Sequence, residues 1–143
     1  MQEHVVDSGR ILKEYVHPDI YKIAVRHHEK LDGSGYPLGL TGDHLSREER
    51  ICAVADIISA LIRKRSYKQV FSKEQTLKIL GDMARRNQIC PEVTEAVSMN
   101  YDFLMEEIDK NGERLMLIYQ QMKDEYREML GMLKEQGFPK MLS

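Results

Sequence analysis

An all-α fold is predicted by three features of the 143-residue sequence. Apolar residues recur at helical spacing along nearly the whole chain. Two capping boxes mark helix starts. Glycine and proline gather in one stretch instead of punctuating short strands, and no segment alternates apolar and polar residues in the manner of a strand.

Each element follows in order. The first segment, about Glu3 to Tyr15, carries Val5, Val6, Ile11, Leu12 and Tyr15 at mixed helical spacings. His17-Pro18 interrupts it, and proline suits the first turn of a new helix. That helix is expected from Pro18 to about Lys30, with Ile20, Ile23, Ala24 and His27 on one side. LDGSGYPLGLTGD then holds Gly33, Gly35, Gly39 and Gly42 with Pro37, which cannot continue a helix and predicts a shaped loop. Ser46-Arg47-Glu48-Glu49 reads as a capping box, and ICAVADIISALI after it is apolar on nearly every side, predicting a central, buried helix. Ser72-Lys73-Glu74-Gln75 is the second box, opening a helix through about Arg86. Pro91 starts another, and Asn111-Gly112 marks a break or kink.

The last part of the chain has a different pattern. Ile108, Leu115, Met122 and Met129 repeat every seven residues, with Leu104, Ile118 and Met132 near the intervening positions, while Asn111 and Glu125 interrupt the series. Two readings stand: an amphipathic helix packed on its own domain, or a helical hairpin or homodimer contact through residues 104–133. The expected organisation is therefore a domain over residues 1–100 and a helical extension over 101–143.

Composition narrows the function classes. Twenty-one Lys and Arg stand against 23 Asp and Glu, a net charge of −2, which gives no electrostatic footprint for a nucleic-acid polymer or an anionic membrane. No apolar run approaches the 18 or so residues of a membrane span. The amino end is polar where a signal peptide places its apolar region, so a cytoplasmic protein is expected. Cys52 and Cys90 form no C-x-x-C pair, which excludes a zinc ribbon and favours burial as small apolar residues.

Two features carry chemistry. His27 and His28 are adjacent, followed at once by Glu29 and the glycine loop. Neighbouring helical residues point about 100° apart, so one imidazole is placed to ligate a metal while the other meets substrate, a second metal or a carboxylate. Asp56 sits inside ICAVADIISALI, where a carboxylate is costly to bury without a cation, a metal or hydrogen-bond donors. Imidazole and carboxylate together suit Mn, Fe or Zn. His4, near Gly9, adds an imidazole from another helix, in the way helical bundles build metal cores.

His27-His28-Glu29-Lys30-Leu31-Asp32-Gly33-Ser34-Gly35-Tyr36-Pro37 resembles the HHExxDGxGYP signature of the HD-GYP family of metal-dependent phosphohydrolases, known as phosphodiesterases of cyclic di-GMP. Gly39-Leu40-x-Gly42, Arg50-Ile51, Val54-Ala55-Asp56 and Arg65-Ser66-Tyr67-Lys68 extend the likeness, as do SKEQTLKIL and ICPEVTEAV, over about residues 3–100. The resemblance implies a partial HD-domain-like helical bundle with an extended carboxyl-terminal helical segment. It implies His4, His27, His28 and Asp56 as ligands of a divalent transition metal, Fe or Mn before Zn or Ni. It further implies that Gly35, Tyr36 and Pro37 face the nucleotide, that Arg65 and Lys68 contact its phosphates, and that the substrate is a cyclic dinucleotide or another phosphodiester.

The sequence departs from the family pattern in two places. It contains no His-Asp dipeptide, the pair that normally supplies a metal-bridging aspartate, and Ser59 stands where the family has an acidic residue. Only three residues precede His4, so a fragment or truncation lacking the His-Asp helix is expected. The catalytic residues are unassigned on this basis, and the metal is expected to be absent or partly occupied. The alternative to an impaired phosphohydrolase is a non-catalytic signalling or interaction module with a degenerate metal site.

Overall fold

The computed structural model describes residues 3–62 and 71–135. Among them are six α-helices and no named strand: α1 (Glu3–Leu12), α2 (Pro18–Arg26), α3 (Arg47–Ile62), α4 (Lys73–Arg85), α5 (Pro91–Met99) and α6 (Tyr101–Glu135), with a single 3-10 turn at Gly42–His44. The all-α expectation is met. The chain divides into two compact units, Met1–Asn100 and Tyr101–Ser143.

In the first unit, α1 packs on α2, α2 on α3, and α3 on both α4 and α5, which also pack on each other. The α1–α2 contact is close because Gly9 has no side chain: a Cβ there would lie 3.1 Å from Val25 Cγ1 and 3.4 Å from the Tyr21 hydroxyl. The face of α2 that meets α1 is thus that of Tyr21 and Val25. Ile20, expected on an inward face with Ile23, is exposed, and no residue of α2 is fully buried.

Pro18 does open α2, with His17 as N-cap accepting from the Asp19 amide. The helix ends at Arg26 instead of running to Lys30. A 2.9 Å bond from the Glu29 amide to the Arg26 carbonyl tightens the chain into a turn, so His27 and His28 belong to that turn and not to the helix. Both capping boxes form. The Ser46 hydroxyl accepts from the Glu49 amide at 3.3 Å while Glu49 Oε2 accepts from the Ser46 amide at 2.6 Å. Ser72 and Gln75 reciprocate in the same way at α4. Beyond α4, Asn87 takes a left-handed φ of 56° and turns its amide back to Ala84, a C-terminal device that asparagine tolerates well.

The core of this unit is small and lies on one side of α3. Ala53, Val54 and Ile58 are buried, as are Leu80, Ile89 and Val97, and α3 packs on α4 and α5. The expectation that α3 is buried on nearly every side is corrected here, because Ile51, Ala55, Ser59 and Ala60 are exposed. Helices α2, α4 and α5 pack against α3 and leave these residues open. Cys90 is buried and Cys52 half-buried, and neither is in a disulfide.

Helix α6 is unbroken through Asn111-Gly112, contrary to expectation. The Asn111 side-chain amide donates 2.7 Å to the Glu107 carbonyl one turn back, so its polar group is satisfied within the continuing helix. No described helix is long and apolar enough to cross a membrane.

Core and cap contributions to the first unit are expected to separate in urea unfolding. Leu80→Ala should lower stability by about 2–5 kcal/mol by opening a cavity at a fully buried site. Ser72→Ala, which removes a cap, should cost about 1 kcal/mol. Equal losses from the two would contradict this account of the core.

Candidate functional site

The glycine loop is built around one buried carboxylate. Glu29 is 2% exposed. Its Oε1 accepts from the Leu38 amide at 2.6 Å and its Oε2 from the Leu40 amide at 2.8 Å, so both oxygens hold loop backbone. The residue between the paired histidines and the loop is therefore the loop's anchor.

Further bonds close the frame. The Tyr36 amide donates 3.2 Å to the His28 carbonyl, folding the Gly-Tyr-Pro segment back onto the histidine turn. Gly35 sits where this fold-back is tightest, and a Cβ would come within 2.4–2.6 Å of Lys30 N and the Glu29 Cα and carbonyl carbon. No side chain fits there. The Tyr36-Pro37 peptide is cis. At the loop's start, Asp32 Oδ1 accepts from the Ser34 amide at 3.0 Å and the Ser34 hydroxyl at 2.7 Å. These bonds favour the ionised form and hold the Asp32 carboxyl below its ordinary pKa. At its end, Arg50 of α3 donates from Nε to the Leu45 carbonyl at 3.0 Å and from an Nη to the Gly42 carbonyl at 2.7 Å.

A second buried carboxylate ties the helices that flank the loop. Glu49, on α3, is 3% exposed and takes an Arg26 Nη at 3.2 Å on the oxygen not used by the Ser46 amide. The end of α2 and the start of α3 are thereby clamped beside the histidine turn.

On this frame His28 and Asp56 come together, with Nδ1 3.5 Å from Oδ2. The Asp56 side chain is 45% exposed, so the cost of burying it, argued from the sequence, does not arise. The His28 ring lies between two others, 4.1 Å from His27 and 4.7 Å from Tyr36 between centroids. Tyr36 thus shares a wall with His28 at this spot. His27 Nδ1 lies 2.8 Å from the Ala24 carbonyl. A carbonyl only accepts, so Nδ1 carries the hydrogen, and in a neutral ring Nε2 is then the lone-pair nitrogen. Cys52, one turn before Asp56, is held protonated: burial pushes its thiol up and the Asp56 carboxylate adds to the shift.

The donors brought together fit a divalent metal in kind, being a tautomer-fixed imidazole, a second imidazole and an exposed carboxylate. They do not form a closed cage. Among the described residues no group of three His, Cys, Asp or Glu is arranged to hold an ion. The side chain of His4, on α1, lies outside the described residues, as do Arg65 and Lys68 altogether. Gly35, Tyr36 and Pro37 lie beside the histidines, Gly35 as a packing necessity and Tyr36 against His28.

Sequence reasoning missed the loop-anchoring role of Glu29, the pairing of Glu49 with Arg26 and the carbonyl contacts of Arg50. A glutamate placed between paired histidines and a loop rich in unsatisfied backbone amides is the available signal for the first of them. An arginine and a glutamate 23 residues apart give no such signal.

With this geometry in hand, comparison with known proteins places the chain. The model of the HD domain family matches residues 1–93, and the chain belongs to that family. Its relatives include proteins named as cyclic dinucleotide phosphodiesterases. It is 44% identical over 86 residues to a probable cyclic di-GMP phosphodiesterase of Vibrio cholerae, covering 60% of this chain and 18% of the relative. It is 50% identical over 58 residues to the cyclic di-GMP phosphodiesterase response regulator RpfG of Xanthomonas campestris, covering 41% and 15%. A 3'3'-cGAMP-specific phosphodiesterase 2 of Vibrio cholerae is 40% identical over 106 residues, covering 71% and 20%. The chain spans about a fifth or less of the length of these curated relatives.

Two changes test the frame. Glu29→Gln replaces one acceptor by a donor facing an amide N–H, and should destabilise the first unit by about 1–3 kcal/mol in denaturant unfolding. The Asp32 bonds predict pH dependence of a definite sign. Because the folded pKa is depressed, their contribution is present above the ordinary carboxylate pKa of about 4 and is lost as pH falls through the lowered value. Ser34→Ala should raise the Asp32 pKa toward the ordinary value in an NMR titration, and an unchanged midpoint would contradict the assignment.

Proposed function

We infer that this chain is part of a metal-dependent phosphodiesterase that acts on a cyclic dinucleotide of the cyclic di-GMP class. The observation that carries this reading is the His28–Asp56 pair under Tyr36 on a backbone-anchored glycine loop. Membership of the HD domain family, with relatives named for cyclic dinucleotide hydrolysis, supports it.

His27 Nε2, His28 and Asp56 are proposed as metal donors, joined by His4 on the strength of its motif match. Iron or manganese suits two or three imidazoles with a carboxylate, and zinc or nickel is compatible with the same set. When bound, the metal supplies Lewis acidity toward a phosphoryl oxygen and a lowered pKa for water. The protein's own part is positional. Glu29 holds the loop, the loop sets Tyr36 beside His28, and the Tyr36 ring offers a face for a base of the nucleotide. Arg65 and Lys68 are proposed to meet the phosphates, where a guanidinium gives bidentate contact and an ammonium a point charge. A substrate of this class favours a cytoplasmic location.

A non-catalytic reading has two observations in its favour: among the described residues no three-residue cluster of donors forms, and the sequence holds no His-Asp pair. Turnover by this chain on its own is therefore expected to be weak. The alternative is a ligand-sensing or interaction module that keeps a degenerate metal site.

The two readings separate on metal content and turnover. Elemental analysis of protein purified without chelator should find at least one transition metal per chain, and His28→Ala with Asp56→Ala should lower retention by at least about tenfold. Cyclic di-GMP hydrolysis above a manganese-only blank would exclude the non-catalytic module. Metal-free protein whose stability is indifferent to Asp56→Ala would exclude the metal site.

A further inference from the structure

We propose that α6 pairs antiparallel with α6 of a second copy of this chain, about a two-fold axis passing near Gln120. The claim is independent of the proposed catalytic reading and rests on what this helix exposes and where its charges lie.

Three apolar columns run along α6. Ile108, Leu115, Met122 and Met129 form the first, at heptad position a. Ile118 and Met132 continue the d column, and Tyr119, Tyr126 and Leu133 occupy e, one residue beyond d. All nine are exposed, and together they leave on the order of 900 Å² of apolar side-chain surface per chain open to water. That exceeds the largest patch usual on a monomer, about 300–600 Å², and matches the roughly 800 Å² per partner of a stable interface. The opposite side also exposes Phe103, Met116 and Leu117, but several of its charges are paired within the helix. Lys110 pairs with Glu106 at 2.8 Å and with Glu107 at 3.3 Å, and Arg127 pairs with Asp124 at 2.8 Å.

The polar interruptions choose the direction. Glu125 stands at a d position, and a parallel, in-register pair would press it against its own copy inside the seam, two like charges in apolar surroundings. Antiparallel pairing about Gln120 places Glu125 opposite Leu115 instead, with Arg114 of the second copy beside it. The same register brings Arg114 at one g position to Glu128 at the other, twice per pair by symmetry. Gly112 fits this register as well. A glycine inside a helix is destabilising, and nothing lies within 4 Å of where its Cβ would be, so nothing within the chain requires it. In the antiparallel register the ring of Tyr126 from the second copy lies over Gly112, while Tyr119 meets its own copy near the axis. A membrane surface is a poorer occupant, because α6 carries nine carboxylates (for example Glu106, Glu113 and Glu128) against five Lys and Arg.

Sedimentation velocity on the whole chain tests the pairing. A concentration-dependent dimer is expected, and Met122→Glu should weaken it at least about a hundredfold with helix content by circular dichroism unchanged. Arg114→Glu should weaken it about tenfold, and Arg114→Glu combined with Glu128→Arg should return it to within about threefold of the original. These positions are about 21 Å apart along one helix, so only an antiparallel second copy brings them together. A chain monomeric at every concentration, or binding anionic vesicles only as a monomer, would overturn the proposal. So would a double variant no tighter than the single one.

Discussion

The geometry of the first unit depends on the carboxylate of Glu29. A thirteen-residue loop with four glycines has little side-chain packing to hold it and many backbone amides that need acceptors. Glu29 supplies two oxygens from inside the fold, one to Leu38 and one to Leu40. Hydrogen bonds to a charged acceptor are the stronger kind, and here they are buried, where water competes poorly. Because Glu29 follows His28 directly, whatever fixes the carboxylate also fixes the turn carrying both histidines. Arg50 repeats the device from α3, binding the carbonyls of Leu45 and Gly42. The loop is held at one end by an anion that takes its amides and at the other by a cation that takes its carbonyls.

This arrangement explains why the site residues stand where they do. His28 belongs to the turn and Asp56 to α3, and the Arg26–Glu49 pair locks α2 to α3 close by. The loop, the turn and the aspartate are therefore tied to one frame. Helix α3 uses its two faces for different ends. Val54 and Ile58 are buried where α4 and α5 pack on α3, while Asp56 stays part-exposed beside His28.

Much of this was legible in the sequence, and the exceptions have physical reasons. Helix starts read well because Ser46, Ser72, Pro18 and Pro91 act locally, through bonds within three residues or a fixed φ. Helix ends read less well. α2 stops four residues early because the fold-back of the loop onto His28 competes with the next helical turn, and that competition involves residues distant in sequence. Asn111-Gly112 looked like a break by propensity, yet the helix continues and the Asn111 side chain finds its partner in the previous turn. The burial of α3 was overestimated because apolar composition does not say which faces find a neighbour. His27, His28 and Asp56 stood out by residue type and setting and Tyr36 through a motif, while the pairing of Glu49 with Arg26 was invisible because it is tertiary.

The Glu29 anchor grips only main-chain amides, which leaves the side chains it passes over unspecified. Leu38 is held firmly at its nitrogen while its side chain is 62% exposed. Any residue except proline could present the same N–H to the same oxygen. The rim of the site is in this sense a socket with an interchangeable lip. Variants of one fold could meet differently decorated ligands by exchanging side chains at 38, with no rebuilding of the frame beneath. Rigidity of backbone and freedom of sequence, usually opposed, coexist at this position because the fastening and the contact surface use different atoms.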